Sequence, residues 1–402
     1  MKLKLDERVF MSQKIKVLYV VSPNFGFNFG GQTPIILETI KRWNNNDIEI
    51  SVFGSNFDIN DLSGLFMTPM KNTKIRRLFW SVKLIWHLIF KREKYDIIQV
   101  YVQWWGGLLS PLIAHAFKKK AVYVITLDGS DNPGAVIKER LGKIKLWLLK
   151  QFDGIIGLSK ALIDDCKKLD FTSELLLLPN FLSFDPLEFD FGKTKEQLKM
   201  DIQIPTNAKA LLFVGSTIYR KGFDLLIDSF IDLSKKNNNL YLIIVGANSK
   251  SDSSRVDDKF VTDQKNKLDQ AGIDNKVLWT GLVRDQKTLA FYYRLSDVFV
   301  FPSRAEGQGN VIVEAMAACL PVVTSRLDGI TDMMINQDVN GYLVDKDQAE
   351  EISKKVDLLL GSPEISAAVG EKARCTIIEF FGFQAYQNNL ANFYCKICNF
   401  PK

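Results

Sequence analysis

Residues 301–316 read FPSRAEGQGNVIVEAM: a hydrophobic strand ending at Phe301, a glycine-rich turn, and a helix opening at Asn310. The first-turn amides of such a helix have no acceptor inside it and point into the loop, where they favour an anion. Glu306 stands before the helix and Glu314 one to two turns inside it. Carboxylates in those places can accept hydrogen bonds from sugar hydroxyls while the amides of Gly307, Gln308, Gly309 and Asn310 hold a diphosphate. Glu306 alone reads equally well as a capping or solvated carboxylate. The whole string has no such simple structural explanation.

Working outward, strand and helix alternate along the chain. Short apolar runs at 16–22, 96–101, 121–126 and 154–158 form one series, with a helix expected over 33–43. A second series follows at 210–215, 240–246, 277–280, 298–301 and 321–324, interleaved with helices at 223–233, 287–295 and 310–319. Such alternation implies parallel sheets flanked by helices, an α/β protein. Between the series, residues 179–205 are rich in Phe, Asp and Pro and poor in pattern. The expected organisation is therefore an N-terminal domain over 1–180, a linker over 181–205, a C-terminal domain over 206–375, and a C-terminal helix within 376–402 that packs back on the first domain. A chain of 402 residues is long enough for two such cores.

Two further strand ends carry chemistry. After the strand at 210–215 come Gly215, Ser216, then Arg220, Lys221 and Gly222. Adjacent cations at that place can neutralise a diphosphate, and a glycine lets backbone approach closely, although an Arg-Lys pair is also common in solvated loops. After the first strand, residues 26–33 (GFNFGGQT) nearly spell a phosphate-binding P-loop, but Gln32 stands where the lysine is required. That weakens a P-loop nucleotidase. What remains is a turn, structural or ligand-binding, built on Gly30, Gly31 and Gln32.

The chain has only His87 and His115 as histidines, which nearly excludes a multi-histidine metal site. Five cysteines make no disulfide framework, and the CxxC of Cys395 and Cys398 lacks a second pair. The opening MKLKLDERVF has no secretory pattern, and the apolar stretch 79–90 is interrupted by Lys83 and His87. A cytoplasmic chain is expected. Charge is uneven: residues 71–150 hold 16 Lys/Arg against 5 Asp/Glu, a balance of +11, which leaves −5 on the rest of a +6 chain. Residues 74–92 and 137–150 both place basic residues beside apolar ones at helical spacing. The plain reading is a core-packed helix with a solvated basic face. The sharper one is peripheral docking on an anionic membrane surface. No nucleic-acid-binding module accompanies the basic stretch, so nucleic acid is not expected as a partner.

Taken together, these motifs resemble the retaining, nucleotide-sugar-dependent glycosyltransferases of family 4, with the GT-B fold of two Rossmann-like domains facing across a cleft. Glu306 and Glu314 match the family's E-x7-E element. Gly30-Gly31, residues 126–131 (TLDGSD), Pro179-Asn180, Val214-Gly215, Lys221-Gly222, Gly329 and Asn340-Gly341 resemble its other landmarks. The resemblance implies that Glu306 binds hydroxyls of the transferred sugar, that Glu314 binds the ribose, and that Lys221 with Arg220 neutralises the diphosphate. It also implies donor contacts at Gly215, Ser216, Gly307, Gln308, Gly309, Asn310 and Val311, with residues 280–283, Val283 among them, bordering the base pocket. The implied acceptor is a saccharide or lipid-linked saccharide of a bacterial surface glycan, reached at the inner face of the membrane. No metal and no cofactor beyond the nucleotide diphospho-sugar co-substrate are implied. Four positions depart from the pattern. Asp128 stands where histidine is frequent and Ser216 where arginine is common. Cys319 and Phe181 replace glycines, which suggests local repacking. The departures keep a rival open, a non-catalytic GT-B fold that binds a nucleotide sugar or a partner without turnover.

Overall fold

The computed structural model describes residues 14–22, 32–43, 47–54, 74–253 and 255–399. The chain divides into two compact units, Met1–Phe181 with Phe383–Lys402, and Leu182–Gly382.

In the first unit the described strands are β1 (Ile15–Val20), β2 (Ile48–Phe53), β3 (Ile97–Val100), β4 (Lys120–Ile125), β5 (Gly154–Gly157) and β6 (Glu174–Leu177). They form a parallel sheet in the order β2-β1-β3-β4-β5-β6. The second unit repeats the plan with β7 (Lys209–Val214), β8 (Leu240–Val245), β9 (Val277–Gly281), β10 (Val298–Phe301), β11 (Val322–Ser325) and β12 (Tyr342–Val344). Its order is β12-β11-β10-β7-β8-β9, again parallel. Helices on both faces bury the central strands, so these are unbroken apolar runs: Val17, Val20, Ile97, Leu212, Phe213, Phe299 and Val322 are all fully buried. Strand order reverses between β1 and β3 in one sheet and between β7 and β10 in the other. At such a reversal the loops leaving neighbouring strand ends diverge and open a crevice for ligands.

The strands that sequence patterning does not mark, β2, β6 and β12, all lie at sheet edges. β2 and β6 are only partly buried along most of their length, and β12 has three residues. The expected linker differs more. Residues 182–205 belong to the second unit, where Phe184, Leu198 and Ile204 join its core. The buried Lys199 ammonium there donates to the Ala208 carbonyl at 2.7 Å and to Asp297 at 2.8 Å. At the other end the second unit runs to Gly382 rather than to 375, because Val369, Ala373 and Ile377 of the helix Pro363–Phe380 pack into its core.

The helix Phe383–Cys398 lies on the first unit's sheet. Tyr394 donates to Gln99 Oε1 at 2.6 Å, and its hydroxyl is 3.3 Å from that of Tyr19. Both cysteines of the CxxC sit on this helix, and burial pushes the Cys398 thiol up to about 12. They behave as packing residues. Phe181 is buried in an aromatic cluster with Phe383 and Tyr386, at ring separations of 4.8 and 4.9 Å. Cys319 does not repack its site. It takes the left-handed conformation a glycine would, φ +59°, and closes the helix Asn310–Ala317. Its amide bonds to the Met316 carbonyl and that of Leu320 to Ala315, both at 3.1 Å, a Schellman ending. The basic segment 137–150 is not one helix: Leu141 at φ +63° breaks it, and the helix proper is Gly142–Leu149. No helix among the described residues is long and apolar enough to cross a membrane.

Candidate functional site

The second unit's strand reversal gathers most of the charged residues picked out by motif. β7 ends at Val214 and runs into the loop carrying Arg220 and Lys221; β10 ends at Phe301 and runs into the loop carrying Glu306. Gly222 brings these loops together. Its φ is +67°, and a Cβ there would sit 1.8 Å from the Pro302 carbonyl oxygen, so no other residue fits. The Arg304 amide donates to the Arg220 carbonyl at 2.8 Å, and Ser303 Oγ donates to the same oxygen at 3.1 Å.

Glu306 lies at the centre of this junction and is almost fully buried. Its Oε1 is 2.5 Å from Lys221 Nζ, 2.6 Å from Ser303 Oγ and 3.4 Å from Arg220 Nη1, and Arg220 also donates to the Ala305 carbonyl. Burial lowers the Lys221 ammonium below its ordinary range; Glu306 opposes that shift and Arg220 adds to it. The same ammonium is 4.7 Å from the centroid of the Phe301 ring, a cation–π contact at the strand end. The result is a buried carboxylate held by a largely shielded Lys221 and a partly exposed Arg220. Such charges need no solvent reorganisation when a ligand's charge replaces one of them.

Arg304, which no motif reading singled out, locks the junction. Its guanidinium is bidentate to Asp224 at 2.7 and 2.8 Å, reaches Asp347 at 2.6 Å and the Tyr219 carbonyl at 2.6 Å, and lies 3.8 Å from the Tyr219 ring centroid. Burial works against its charge, but the hydrogen bonds to Asp224 and Asp347 outweigh it and hold the cation firmly protonated.

The Gly-rich turn closes with Gly309 at φ +91°, the residue before the helix Asn310–Ala317. Gln308 is buried on that turn and Asn310 and Val311 open the helix. One face of this helix buries Glu314, which accepts a 2.8 Å hydrogen bond from the Tyr293 hydroxyl. Desolvation pushes the Glu314 carboxyl up to about 7, and the Tyr293 bond only partly offsets this. Tyr293 is a second residue that motif reading missed: it lies 21 positions away on the helix Gln286–Leu295. Gly215 and Ser216 follow β7 directly, with the Gly215 amide on the Val245 carbonyl at 2.8 Å. Val283 follows β9 and packs partly buried against the second unit's core.

The other sequence-marked residues belong to the first unit. Gly30 and Gly31 lie outside the described residues. Gln32 starts the helix Gln32–Arg42 and lines a small pocket with Gln99, Tyr101, Asn180 and Tyr386, at the carboxyl ends of β3 to β6. After β4, the segment 126–131 folds around Asp131, not Asp128. Asp131 accepts from the Thr126 amide at 3.0 Å, the Thr126 hydroxyl at 2.5 Å and the Leu127 amide at 2.7 Å. Burial raises its carboxyl and these donors pull it back. Asp128 is left half-buried beside the loop. Neither histidine joins a ligand cluster: His115 pairs with Asp153 at 2.9 Å and His87 packs on Phe53. Among the described residues no group of three or more His, Cys, Asp or Glu is arranged to hold a metal ion.

Residues 194–376 match the family model described as Glycosyl transferases group 1. The chain is 26% identical over 216 residues to the capsular polysaccharide biosynthesis glycosyltransferase CapM of Staphylococcus aureus, covering 54% of this chain and about half, 52%, of that relative. It is 25% identical over 323 residues to the alpha-monoglucosyldiacylglycerol synthase of Acholeplasma laidlawii, with 77% of each covered. Among solved structures, Anabaena Alr3699/HepE in complex with UDP and glucose superposes with a TM-score of 0.75 at 17% identity, covering 95% of this chain and all of that one. The sucrose-phosphate synthase of Thermosynechococcus elongatus gives 0.72 at 16%, covering 96% and 99%. At such identities the likeness establishes the fold, two Rossmann-like domains of GT-B type.

Proposed function

We propose, from the premise that this chain is a GT-B member of the group 1 glycosyl transferases, that it moves a sugar from a nucleotide diphospho-sugar to an acceptor hydroxyl with retention of anomeric configuration. The observation that carries the reading is the Lys221–Glu306–Arg220 cluster at the strand reversal of the second unit. Breaking the donor's glycosidic bond develops positive, oxocarbenium-like charge on the sugar and negative charge on the departing diphosphate. Lys221, Arg220 and the amides of the Gly307–Asn310 turn are suited to the second charge, and a fixed cation there stabilises the transition state without calling on a metal. With no donor bound, Lys221 and Glu306 neutralise each other. With donor bound, Lys221 turns to the diphosphate and Glu306 accepts hydrogen bonds from the sugar hydroxyls. Glu314 takes the ribose hydroxyls, Gly215, Ser216 and Val311 border the phosphates, and Val283 borders the base.

In this reading Asp128 serves the acceptor. An ionised carboxylate accepts a hydrogen bond from a hydroxyl but cannot donate one as an imidazole does. The acceptor is a saccharide or lipid-linked saccharide of surface-glycan assembly. Supporting this, relatives are named for capsular polysaccharide, for monoglucosyldiacylglycerol and for lipopolysaccharide core biosynthesis.

The test is hydrolysis and transfer across a panel of nucleotide sugars, for the native chain, Lys221→Ala and Glu306→Ala. The native chain is expected to exceed both variants by about 10²–10³-fold with one donor, and the product's anomeric coupling constant to match the donor's. Equal background rates in all three would replace this reading with that of a binding protein.

A further inference from the structure

The helix Lys74–Phe90 has two apolar faces, and only one of them is used. Trp80, Ser81, Leu84 and Leu88 are buried against the first unit. Ile75, Leu78, Phe79, Val82, Trp86 and Phe90 are between 56% and 68% exposed. At 100° per residue these six fall within an arc of roughly 120° on the side opposite the buried four. The stripe that patterning assigned to the core therefore points largely to solvent, and Arg76 and Lys83 border one edge of it.

The exposure does not stop at this helix. Lys74–Phe90 packs on the helix Trp105–Ala116, which in turn packs on Gly142–Leu149. Trp105 and Leu112 are exposed on the middle helix, and Leu141, Ile144 and Trp147 are about half exposed at the third. Lys138, Arg140 and Lys143 surround the third helix as exposed cations, and Lys145 lies 5.9 Å from the Trp105 ring. Soluble surfaces rarely gather this many large apolar side chains, and when they do the patch meets a partner.

We propose that this three-helix face of the first unit inserts into an anionic lipid bilayer, with Leu78, Phe79, Val82 and Trp86 entering the acyl boundary and Arg76, Lys83, Lys138 and Lys143 meeting the headgroups. Charge decides the occupant. The segment 71–150 carries 16 Lys/Arg against 5 Asp/Glu, so two copies of this face repel each other, whereas an anionic leaflet attracts it. The arrangement agrees: the exposed apolar residues share one side of the helix, with Arg76 and Lys83 along its edge, which is the form of an interfacial helix. The proposal deepens the function proposed above, since it rests on that reading for its purpose: it would bring the acceptor-binding unit to the surface where a lipid-linked saccharide resides. The binding itself needs neither donor nor turnover.

The experiment is co-sedimentation of the full chain with vesicles of phosphatidylcholine alone or with phosphatidylglycerol, at 0.05 M and 0.5 M salt, without nucleotide sugar. Binding to the anionic vesicles is expected, weakened but not abolished by salt, because buried apolar area persists when charge is screened. The triple variant Leu78→Ser, Phe79→Ser, Trp86→Ser is expected to bind at least 100-fold more weakly at both salts with its melting temperature unchanged. The pair Arg76→Glu, Lys83→Glu should lose at least about 30-fold, mainly at low salt. Absence of binding to anionic vesicles at 0.05 M salt overturns the proposal. So does a concentration-dependent dimer that the triple variant dissolves, since a second copy would then own the face. Because the readout is vesicle binding, loss of transfer with vesicle binding intact would count against the catalytic reading alone.

Discussion

The two strand reversals have the same backbone plan and opposite chemistry. At the reversal of the second unit, Arg220, Lys221, Ser303, Arg304 and Glu306 bond across two loops; Lys221 and Arg220 are tied to Glu306, and Arg304 to Asp224 and Asp347. Beside that of the first unit the described pocket over the ends of β3 to β6 is uncharged, lined by amides, tyrosines and aliphatic side chains, Gln32, Gln99, Tyr101, Asn180 and Tyr386 among them, and the Asp131 carboxylate is spent on its own loop. Fixed charge suits a ligand whose charge is constant, such as a diphosphate. Neutral donors and acceptors suit one whose hydroxyls vary.

This contrast can be broken first at Arg304. Arg304→Ala leaves Asp224 largely buried without its fork and is expected to cost about 2–3 kcal/mol. For a unit of this size that is a fall of about 4–12 °C in melting temperature by calorimetry. Donor affinity should fall with it, and Arg304→Lys should restore less than half, since an ammonium cannot make the bidentate contact. An unchanged melting temperature would mean the loops hold each other without Arg304.

Next is the pH dependence of donor binding. Burial pushes the Glu314 carboxyl up to about 7. On the proposed function ribose hydroxyls donate to it and favour the ionised form, so donor affinity should fall as pH drops through 7, about tenfold between pH 8 and pH 6. A nucleotide sugar is the right probe, because its diphosphate diester does not titrate there. Glu314→Gln should flatten the calorimetric profile; a profile that stays sloped would move the titration to another group.

The smallest effect separates the neighbouring carboxylates of the first unit. Asp131→Ala should lose about 1–3 kcal/mol with its hydrogen bonds, visible in the melting curve. Asp128→Ala should leave that curve within about 1 °C, because the bonds that hold the loop run to Asp131. It should lower transfer to acceptor more than donor hydrolysis. Equal loss of both activities would take Asp128 off the acceptor.

Central strands were legible because burial on both faces writes them as unbroken apolar runs. The edge strands β2, β6 and β12 were not, since a half-covered strand has no such run. The short-range motif of residues 301–316 disclosed Glu306 and Glu314, whereas Tyr293 and the Arg304–Asp224 clamp, 80 residues apart in the chain, left no local signal. Residues 182–205 looked like a linker because their pattern is irregular, although their few apolar side chains seat firmly in the second unit.

Composition, alternation and strand-end motifs thus determined an α/β chain with two sheets, because those features depend on neighbours in sequence, and they pointed to the anionic, hydroxyl-rich ligand of the proposed function. Tertiary structure alone decided that Lys221 and Arg220 meet Glu306. It likewise decided that Asp131 rather than Asp128 anchors its loop, and which apolar stripe of Lys74–Phe90 faces outward. Periodicity gives a helix its stripes, but only the packing of the rest of the unit chooses the one to be buried.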